Sequence, residues 1–279
     1  NICIAGLGNV GSSLIKSIED NNNYFQNKRF LKINIIGISA KSKNKKRIVN
    51  IDKYKWYDNP LDMTQLKECD VIIELIGQEK GISYDLINLS LKNKKHVVTG
   101  NKALIANYGN DLLKIAEINS LNLSFEAAVA GGIPVIKTIK NNISLNRINK
   151  ISGILNGTTN YILTKMENEN LSFDDVLNIA KEKGFTSDNE AKLDIGGFDA
   201  AHKLTILSTL CFGSNLNFDL NHVEGISNVK IEDINFAKKL GYKIKLISET
   251  TIIENQIANF TSPKLVSFNN PLSNVGDAL

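Results

Sequence analysis

The 279-residue sequence predicts an α/β fold in which a doubly wound parallel sheet is followed by a second, α+β domain. Three observations predict it. A short apolar strand at the N-terminus leads into the spacing G-x-G-x-x-G and then into a segment of helical periodicity. Apolar strand-like segments alternate with helical ones through residue 130, which is typical of right-handed strand–helix–strand crossovers. Beyond that point helices follow one another and strand-like segments come late.

The glycine motif lies between the first strand and the first helix. Gly6 permits a tight turn, Gly8 lets a pyrophosphate approach the backbone, and Gly11 allows the helix to pack closely on the strand. The pyrophosphate would lie at the helix N-terminus. A coincidental glycine turn is the alternative, but the strand–helix junction favours a Rossmann-type dinucleotide site built from Gly6, Leu7, Gly8, Asn9, Val10 and Gly11.

A basic segment follows the second predicted strand, residues 33–39. An NAD site would place an Asp or Glu here for the ribose 2′-hydroxyl, and none is present. Cationic side chains would suit a 2′-phosphate, so the sequence favours NADP over NAD, although NAD remains possible. The alternative is a solvated, lysine-rich loop. The cationic residues concerned are Lys41, Lys43, Lys45, Lys46 and Arg47.

Two further predicted strands, residues 70–77 and 96–99, end in polar or small residues. Residues 70–77 form an apolar run that Glu74 interrupts. Ligands of doubly wound sheets bind at the carboxyl ends of the strands. We therefore expect cofactor contacts from Gly77, Thr99, Asn101 and Lys102, and we add Gly184, which ends a later predicted helix, to the cofactor-binding set.

A charged pair begins an otherwise apolar helix predicted over residues 198–212. Asp199 and Lys203 are one turn apart on one face. A weak ion pair at a helix end is the ordinary interpretation, and a proton-donating ammonium held by a carboxylate is the alternative. The predicted loop 185–194 precedes this helix and carries three carboxylates that could orient an amine, those of Asp188, Glu190 and Asp194.

Two turns are rich in small or polar residues. The turn before Pro134 could hold a hard cation through backbone carbonyls beside Glu126, although a close-packed turn is the default. A later Gly-Thr-Thr-Asn turn suits a small zwitterion, with contacts from Gly157 and Thr158. In the alternative interpretation, Thr158 or Thr159 only caps the helix.

Composition excludes several classes of protein. The net charge of +4 is spread along the chain, so it favours a small anionic ligand and does not indicate nucleic-acid binding. The three cysteines are far apart and lack metal-ligand spacing, which favours a reducing cytoplasm. No apolar run reaches the roughly 20 residues that span a bilayer, so we expect no membrane partner.

Together these motifs resemble the homoserine dehydrogenase family, over residues 1 to about 249. The matching segments are GLGNVG, VIIELIG, KHVVTGNKALIA, FEAAVAGGIPVI, ISGILNGTTNYILT and DIGGFDAAHKLTIL. The resemblance implies an NAD(P)-binding domain over residues 1–130 and a substrate-binding and dimerisation domain over residues 131–279. It also implies a homodimer that reversibly oxidises L-homoserine to L-aspartate 4-semialdehyde, in threonine, methionine and isoleucine biosynthesis.

The resemblance also implies residue roles. Lys203 would be the proton donor, Asp194 and Asp199 the carboxylates around it, and Lys102 a second active-site lysine. A monovalent cation such as Na⁺ would bind at Glu126, Val129, Gly131 and Ile133. The chain departs from the family at Phe185-Thr-Ser187, where the family carries Y-[AT]-E, so the substrate-binding carboxylate is Asp188 or, second, Glu190. The family usually continues past residue 279 into a glycine-rich segment that returns to the cofactor, so a truncated chain is expected.

Two rival functions remain. Aspartate-semialdehyde dehydrogenase uses a related fold but needs a nucleophilic cysteine, which the positions of Cys3, Cys69 and Cys211 do not favour. A catalytically silent nucleotide sensor would bind NADP without turnover.

Overall fold

The computed structural model describes residues 1–143, 145–253 and 256–276, except for the side chains of residues 188–190 and 220. The chain divides into two compact units, Asn1–Pro134 and Val135–Leu279. The predicted boundary lies at residue 130, in the turn just before this division. Among the described residues, no helix combines the length and the apolar character needed to cross a membrane.

The first unit contains the predicted doubly wound sheet, and this fold class is confirmed. Five parallel strands lie in the order β2-β1-β3-β4-β5. Because the chain moves from β1 to β2 on one side and then to β3 on the other, the switch point where such sheets bind ligands lies between β1 and β3. The elements are β1 (Ile2–Ala5), α1 (Asn9–Arg29), β2 (Ile35–Ser39), β3 (Val71–Glu74), α2 (Ile82–Lys92), β4 (His96–Thr99), α3 (Lys102–Ile118) and β5 (Leu123–Ser124).

Both faces of this sheet are covered. Cys3 and Ala5 belong to one apolar cluster and Ile4 belongs to another, as the alternation of side chains along a strand requires. All three residues are fully buried. This explains why the strand sequences read as continuous apolar runs rather than as alternating ones.

The second unit is the predicted α+β domain. Its four-stranded sheet has the order β6-β8-β9-β7, with β7 parallel to β9 and the other pairs antiparallel. The elements are α4 (Val135–Asn141), β6 (Lys150–Gly153), α5 (Gly157–Glu169), α6 (Phe173–Glu182), α7 (Asp188–Ile195), α8 (Phe198–Phe212), β7 (Asn221–Val223), α9 (Ile231–Lys239), β8 (Tyr242–Ile253) and β9 (Gln256–Ser267).

Two local predictions in this unit differ from the structure, the first in kind and the second in its bounds. The segment 185–194, predicted as a loop, contains the helix α7, because several of its residues are good helix formers although they show no apolar stripe. The tail after Thr250 was predicted as alternating strand and turn through Pro263 and Pro271. It contains the end of β8 and then β9, which continues as one strand through Pro263 without a turn there, and a short 3₁₀ helix follows at Pro271–Asn274. Strand β7 pairs with β9 only at Asn259–Thr261. Beyond that point β9 is an edge strand, where proline is tolerated.

A lysine is buried in the core of the second unit. Lys245 on β8 is 1% exposed, and its ammonium donates hydrogen bonds to Asn160 Oδ1 (2.9 Å), Thr164 Oγ1 (2.9 Å) and the Val275 carbonyl (2.7 Å). Burial, followed by the charge of Lys243, lowers the pKa of Lys245 to about 8. The protonated lysine thereby connects β8, α5 and the segment at residue 275.

Candidate functional site

The geometry of the glycine turn supports the role predicted for each glycine. Gly6 has a φ of +97°, and a Cβ on it would lie 2.3 Å from the carbonyl carbon of Leu75. A Cβ on Gly11 would lie 2.0 Å from the Gly6 carbonyl oxygen. A Cβ on Gly8 would meet no atom within 4 Å, so open space adjoins the backbone there. Gly6 and Gly11 are thus needed for packing, whereas Gly8 faces space that a ligand can enter.

A cavity of about 890 Å³ opens beside this turn. It is lined by the glycine turn (residues 6–11), the end of β2, the turn after β3 and the basic segment (residues 41–47). Its lining includes Gly6, Leu7, Gly8, Ser39, Lys41, Lys43, Lys45, Arg47, Leu75, Ile76 and Gln78. The volume lies in the range typical of small-molecule and cofactor sites. Asn9 and Val10 begin α1 beside it, and the Gly8 N-cap supplies no side-chain hydrogen bond to the first amides of that helix.

Arg47 ties the basic segment to the glycine turn. Its Nε donates to the Leu7 carbonyl (3.2 Å), and its Nη1 donates to the carbonyls of Lys43 (2.9 Å) and Lys45 (2.8 Å). Its Nη2 donates to the Ser42 carbonyl. Arg47 therefore orders the backbone of the segment beside the cavity, while the side chains of its lysines are exposed.

The other predicted cofactor residues of the first unit lie at the carboxyl ends of β3 and β4. Gly77 and Thr99 lie in or beside the turns there, and Asn101 is the N-cap of α3, with its Oδ1 accepting from Leu104 N at 3.1 Å. Lys102 begins α3. Gly184 instead lies in the second unit, where its positive φ of +73° ends α6.

The predicted charged pair forms at the start of α8. Lys203 Nζ lies 2.8 Å from Asp199 Oδ2 and also donates to the Leu155 carbonyl at 2.8 Å. The Lys203 side chain is 19% exposed and that of Asp199 is 10% exposed. The lysine is thus held by two oxygens, one on α8 and one in the segment between β6 and α5, and its side chain is still partly exposed.

Asn156 joins this pair to Asp194, and the sequence prediction missed its role. Its Nδ2 donates to Asp194 Oδ1 (2.8 Å) and to Asp199 Oδ2 (2.9 Å). Its Oδ1 accepts from Thr159 N at 2.8 Å, so Asn156 is the N-cap of α5. The alternative in which Thr158 or Thr159 caps this helix is therefore wrong. An Asn just before a helical segment was a usable signal for the cap, but not for the carboxylates.

Burial and the neighbouring Asp199 change the pKa of Asp194. Burial raises the pKa of Asp194, and the negative charge of Asp199 raises it further, while hydrogen bonds from Asn156, Thr186 and Thr158 oppose the shift. Gly157 begins α5, and Thr158 Oγ1 donates to the Phe185 carbonyl at 3.4 Å. The cluster thus combines an ammonium, two partly buried carboxylates and a polar helix start, which is suited to proton transfer and to binding an amine.

The predicted cation turn follows β5. A short 3₁₀ helix spans Glu126–Ala128, and Ala130 and Gly132 both have positive φ (53° and 87°). Among the described residues, no group of three or more His, Cys, Asp or Glu side chains could hold a metal ion. A cation would therefore depend on the Glu126 carboxylate and on backbone carbonyls, as predicted for Val129, Gly131 and Ile133. The side chains of Asp188 and Glu190 lie outside the described part of the structure.

The sheet and the glycine turn define a dinucleotide-binding α/β protein, whose second unit carries the lysine–carboxylate cluster. Comparison with known families identifies the family within this class of protein. The model of the family described as "Homoserine dehydrogenase" matches residues 134–279, and that described as "Homoserine dehydrogenase, NAD binding domain" matches residues 6–126. The chain belongs to the homoserine dehydrogenase family, as its motifs predict.

Individual relatives agree with this assignment. The chain is 38% identical over 275 residues to a homoserine dehydrogenase of Neisseria gonorrhoeae and 39% identical over 272 residues to that of Bacillus subtilis. These alignments cover 99% and 98% of the chain and 62% of each relative, so the chain spans about three fifths of their length. A solved homoserine dehydrogenase from Thiobacillus denitrificans has a TM-score of 0.92 and 35% identity, over 99% of this chain and 63% of that one.

Proposed function

We propose that this protein is a homoserine dehydrogenase, which reversibly oxidises L-homoserine to L-aspartate 4-semialdehyde with a nicotinamide cofactor. The observation that carries the proposal is the position of Lys203, whose ammonium is held between Asp199 and the Leu155 carbonyl in a chain of this family. The reaction would serve threonine, methionine and isoleucine biosynthesis.

In this proposal Lys203 acts as the general acid. When bound, the reduced nicotinamide supplies the hydride to the aldehyde carbon. The Lys203 ammonium donates its proton to the substrate oxygen, and Asp199 keeps the ammonium in position. Asp194, held by Asn156 beside Asp199, adds negative charge that favours the substrate's own ammonium group. In the oxidising direction Lys203 must accept a proton, so alkaline pH should favour oxidation of homoserine.

We further propose that NADP is preferred over NAD. Lys41, Lys43 and Lys45 line the cavity beside the glycine turn, and Arg47 orders the backbone that carries them. A ribose 2′-phosphate in this cavity would meet several cationic side chains. No carboxylate comes directly after β2 to accept a 2′-hydroxyl, and the Asp58 carboxylate that lines the cavity already accepts a hydrogen bond from Trp56 Nε1 at 2.8 Å. Cofactor contacts from Gly77, Thr99, Asn101, Lys102 and Gly184 are part of the same proposal.

The remaining assignments also stand as proposals. They comprise a nucleotide-binding domain over residues 1–130, a substrate-binding and dimerisation domain over residues 131–279, substrate contacts from Gly157, Thr158 and either Asp188 or Glu190, a second lysine at Lys102, and a monovalent cation at the turn after β5. A homodimer in the cytoplasm completes the proposal. The three cysteines are free thiols, which supports a reducing compartment.

The thioester mechanism of aspartate-semialdehyde dehydrogenase finds no support in the cysteines. Cys3 is fully buried in β1, and a hydrogen bond to Cys69 together with burial raises the pKa of its thiol. Burial likewise raises the pKa of Cys211. The hydrogen bond with Cys3 lowers the pKa of Cys69, but this thiol is only 2% exposed and so is not accessible to a substrate. A nucleophilic cysteine needs an accessible thiolate, which none of these three environments provides.

The test is the loss of near-ultraviolet NADPH absorbance when the full-length gene product meets aspartate semialdehyde, repeated with NADH. The proposal predicts turnover with NADPH exceeding that with NADH, and homoserine-dependent reduction of NADP in reverse. Replacing Lys41, Lys43 and Lys45 together by Ser should remove the preference for NADPH and leave turnover with NADH. Binding of NADPH without turnover would instead support the nucleotide sensor.

A further inference from the structure

The buried carboxylate of Glu74 has no part in the mechanism above. Glu74 ends β3, the strand beside the switch point, and is 0% exposed. Among the described residues it forms no ion pair with a lysine or arginine, although a buried carboxylate normally requires compensation. Hydrogen bonds compensate it instead, and their donors come from the turn after β3, from α2 and from the end of β4.

Four donors converge on this carboxylate. Oε1 accepts from Ile76 N (2.9 Å), Gly77 N (3.0 Å) and Ser83 Oγ (2.9 Å). Oε2 accepts from Thr99 Oγ1 at 2.6 Å. Since hydrogen bonds to a charged acceptor are stronger than those between neutral groups, these four bonds stabilise the structure more than four bonds between neutral groups would.

The hydroxyl groups of Ser83 and Thr99 extend this hydrogen-bond network to two backbone amides. Ser83 Oγ accepts from Gln78 N (3.2 Å), and Thr99 Oγ1 accepts from Asn101 N (3.0 Å). Each hydroxyl therefore directs its own proton to Glu74. Asn101 Nδ2 then donates to the Gln78 carbonyl at 2.7 Å and closes the network. The turn after β3 and the turn after β4 are thus one hydrogen-bonded structure centred on Glu74.

This structure adjoins the dinucleotide cavity. Ile76 and Gln78 line the cavity together with the glycine turn. The basic segment lies on the β2 side of the switch point, so the adenosine half of the cofactor belongs there and the nicotinamide half belongs on the β3 and β4 side. The turns that Glu74 fixes are the ones this second half would contact.

We propose that Glu74 is a positioning residue for the nicotinamide half of the cofactor, because it holds the turns at Gly77 and Asn101 in a single geometry. The inference rests on the proposed dinucleotide binding but does not depend on homoserine turnover. Glu74→Gln keeps the size of the side chain, yet its amide NH₂ cannot accept from Thr99. Either the hydroxyl proton of Thr99 or the donors of the turn after β3 therefore lose their acceptor.

The experiment measures dissociation constants by quenching of Trp56 fluorescence, with NADP⁺ and with adenosine 2′,5′-bisphosphate, which lacks the nicotinamide half. Glu74→Gln should weaken binding of NADP⁺ by about tenfold or more, the equivalent of one charge-assisted hydrogen bond. Binding of the bisphosphate should be unchanged. Thr99→Val removes the same bond from the other side, together with the bond from Asn101 N, so the double variant should bind little worse than Thr99→Val alone.

Controls distinguish the possible failures. Glu79→Gln removes a carboxylate from an exposed position in the same segment and should leave both ligands bound as in the wild type. Equal weakening of both ligands by Glu74→Gln would indicate general damage to the unit and overturn the inference. Unchanged NADP⁺ binding in that variant would overturn it too. If the wild-type protein binds neither ligand, the proposed function itself fails.

Discussion

Replacing Asn156 by Asp tests how the lysine–carboxylate cluster is held together. Aspartate caps a helix about as well as asparagine, so the bond from Thr159 N to residue 156 survives. The two donated hydrogen bonds, to Asp194 at 2.8 Å and to Asp199 at 2.9 Å, are lost. Hydrogen bonds to charged groups contribute about 1.5–3 kcal/mol each, so Asn156→Asp should lower the free energy of unfolding by about 3–6 kcal/mol at neutral pH.

The loss should depend on pH in a definite direction. A third carboxylate beside two others has a raised pKa in the native state, so the native state binds protons more tightly than the unfolded chain does. The destabilisation is therefore greatest at neutral pH and shrinks as the pH falls towards about 5. A variant that is destabilised equally at both pH values would contradict this electrostatic explanation.

Urea unfolding followed by two probes measures the effect. The only tryptophan, Trp56, lies in the first unit, so its fluorescence reports that unit, whereas far-UV circular dichroism reports helices of both. Asn168→Asp adds the same charge at an exposed position on α5 and serves as the matched control. If the circular dichroism midpoint of Asn156→Asp equals that of Asn168→Asp at neutral pH, the Asn156 amide does not hold the cluster.

Three further predictions follow from geometry and pKa. Gly11→Ala should lower the free energy of unfolding of the first unit, followed by Trp56 fluorescence, by about 1–3 kcal/mol or more, whereas Gly8→Ala should keep wild-type stability and lose dinucleotide affinity. Equal behaviour of the two variants would refute the assigned roles. Because the native pKa of Asp194 is raised, the wild type should lose stability as pH rises from about 4, and Asp194→Asn should lack that loss in urea titrations. The native pKa of Lys245, about 8, lies below its unfolded value, so wild-type stability should rise above pH 8 and that of Lys245→Met should not; parallel pH profiles would contradict this.

The sequence predicted those elements whose signals are local. The helix α8 has the predicted bounds because apolar stripes continue along its length and glycines stand at both ends. The doubly wound sheet followed from strands buried on both faces and from a glycine turn at a strand–helix junction. The Asp199–Lys203 pair was predictable because its spacing of four is fixed by helix geometry.

Features that depend on distant residues were not predictable in the same way. Asn156 donates hydrogen bonds to the carboxylates of Asp194 and Asp199, which lie 38 and 43 residues later in the sequence. Arg47 donates a hydrogen bond to a carbonyl 40 residues earlier in the chain. This contact is not visible in the sequence, from which Arg47 was assigned only to a phosphate. From the sequence Glu74 was only an interruption of an apolar strand, because its partners on α2 and at the end of β4 reach it only in the folded sheet. The helix α7 lacks an apolar stripe, the signal on which helix prediction mainly depends.

The central claim is that the Lys203 ammonium supplies the proton when hydride is transferred. Single-turnover oxidation of NADPH by aspartate semialdehyde, measured in the wild type and in Lys203→Gln, tests it most directly, because glutamine can still donate a hydrogen bond to Asp199 but cannot supply the proton. Loss of a general acid predicts a rate lower by about 10²–10⁴-fold in the variant, with NADPH binding unchanged. A rate close to that of the wild type would contradict the claim.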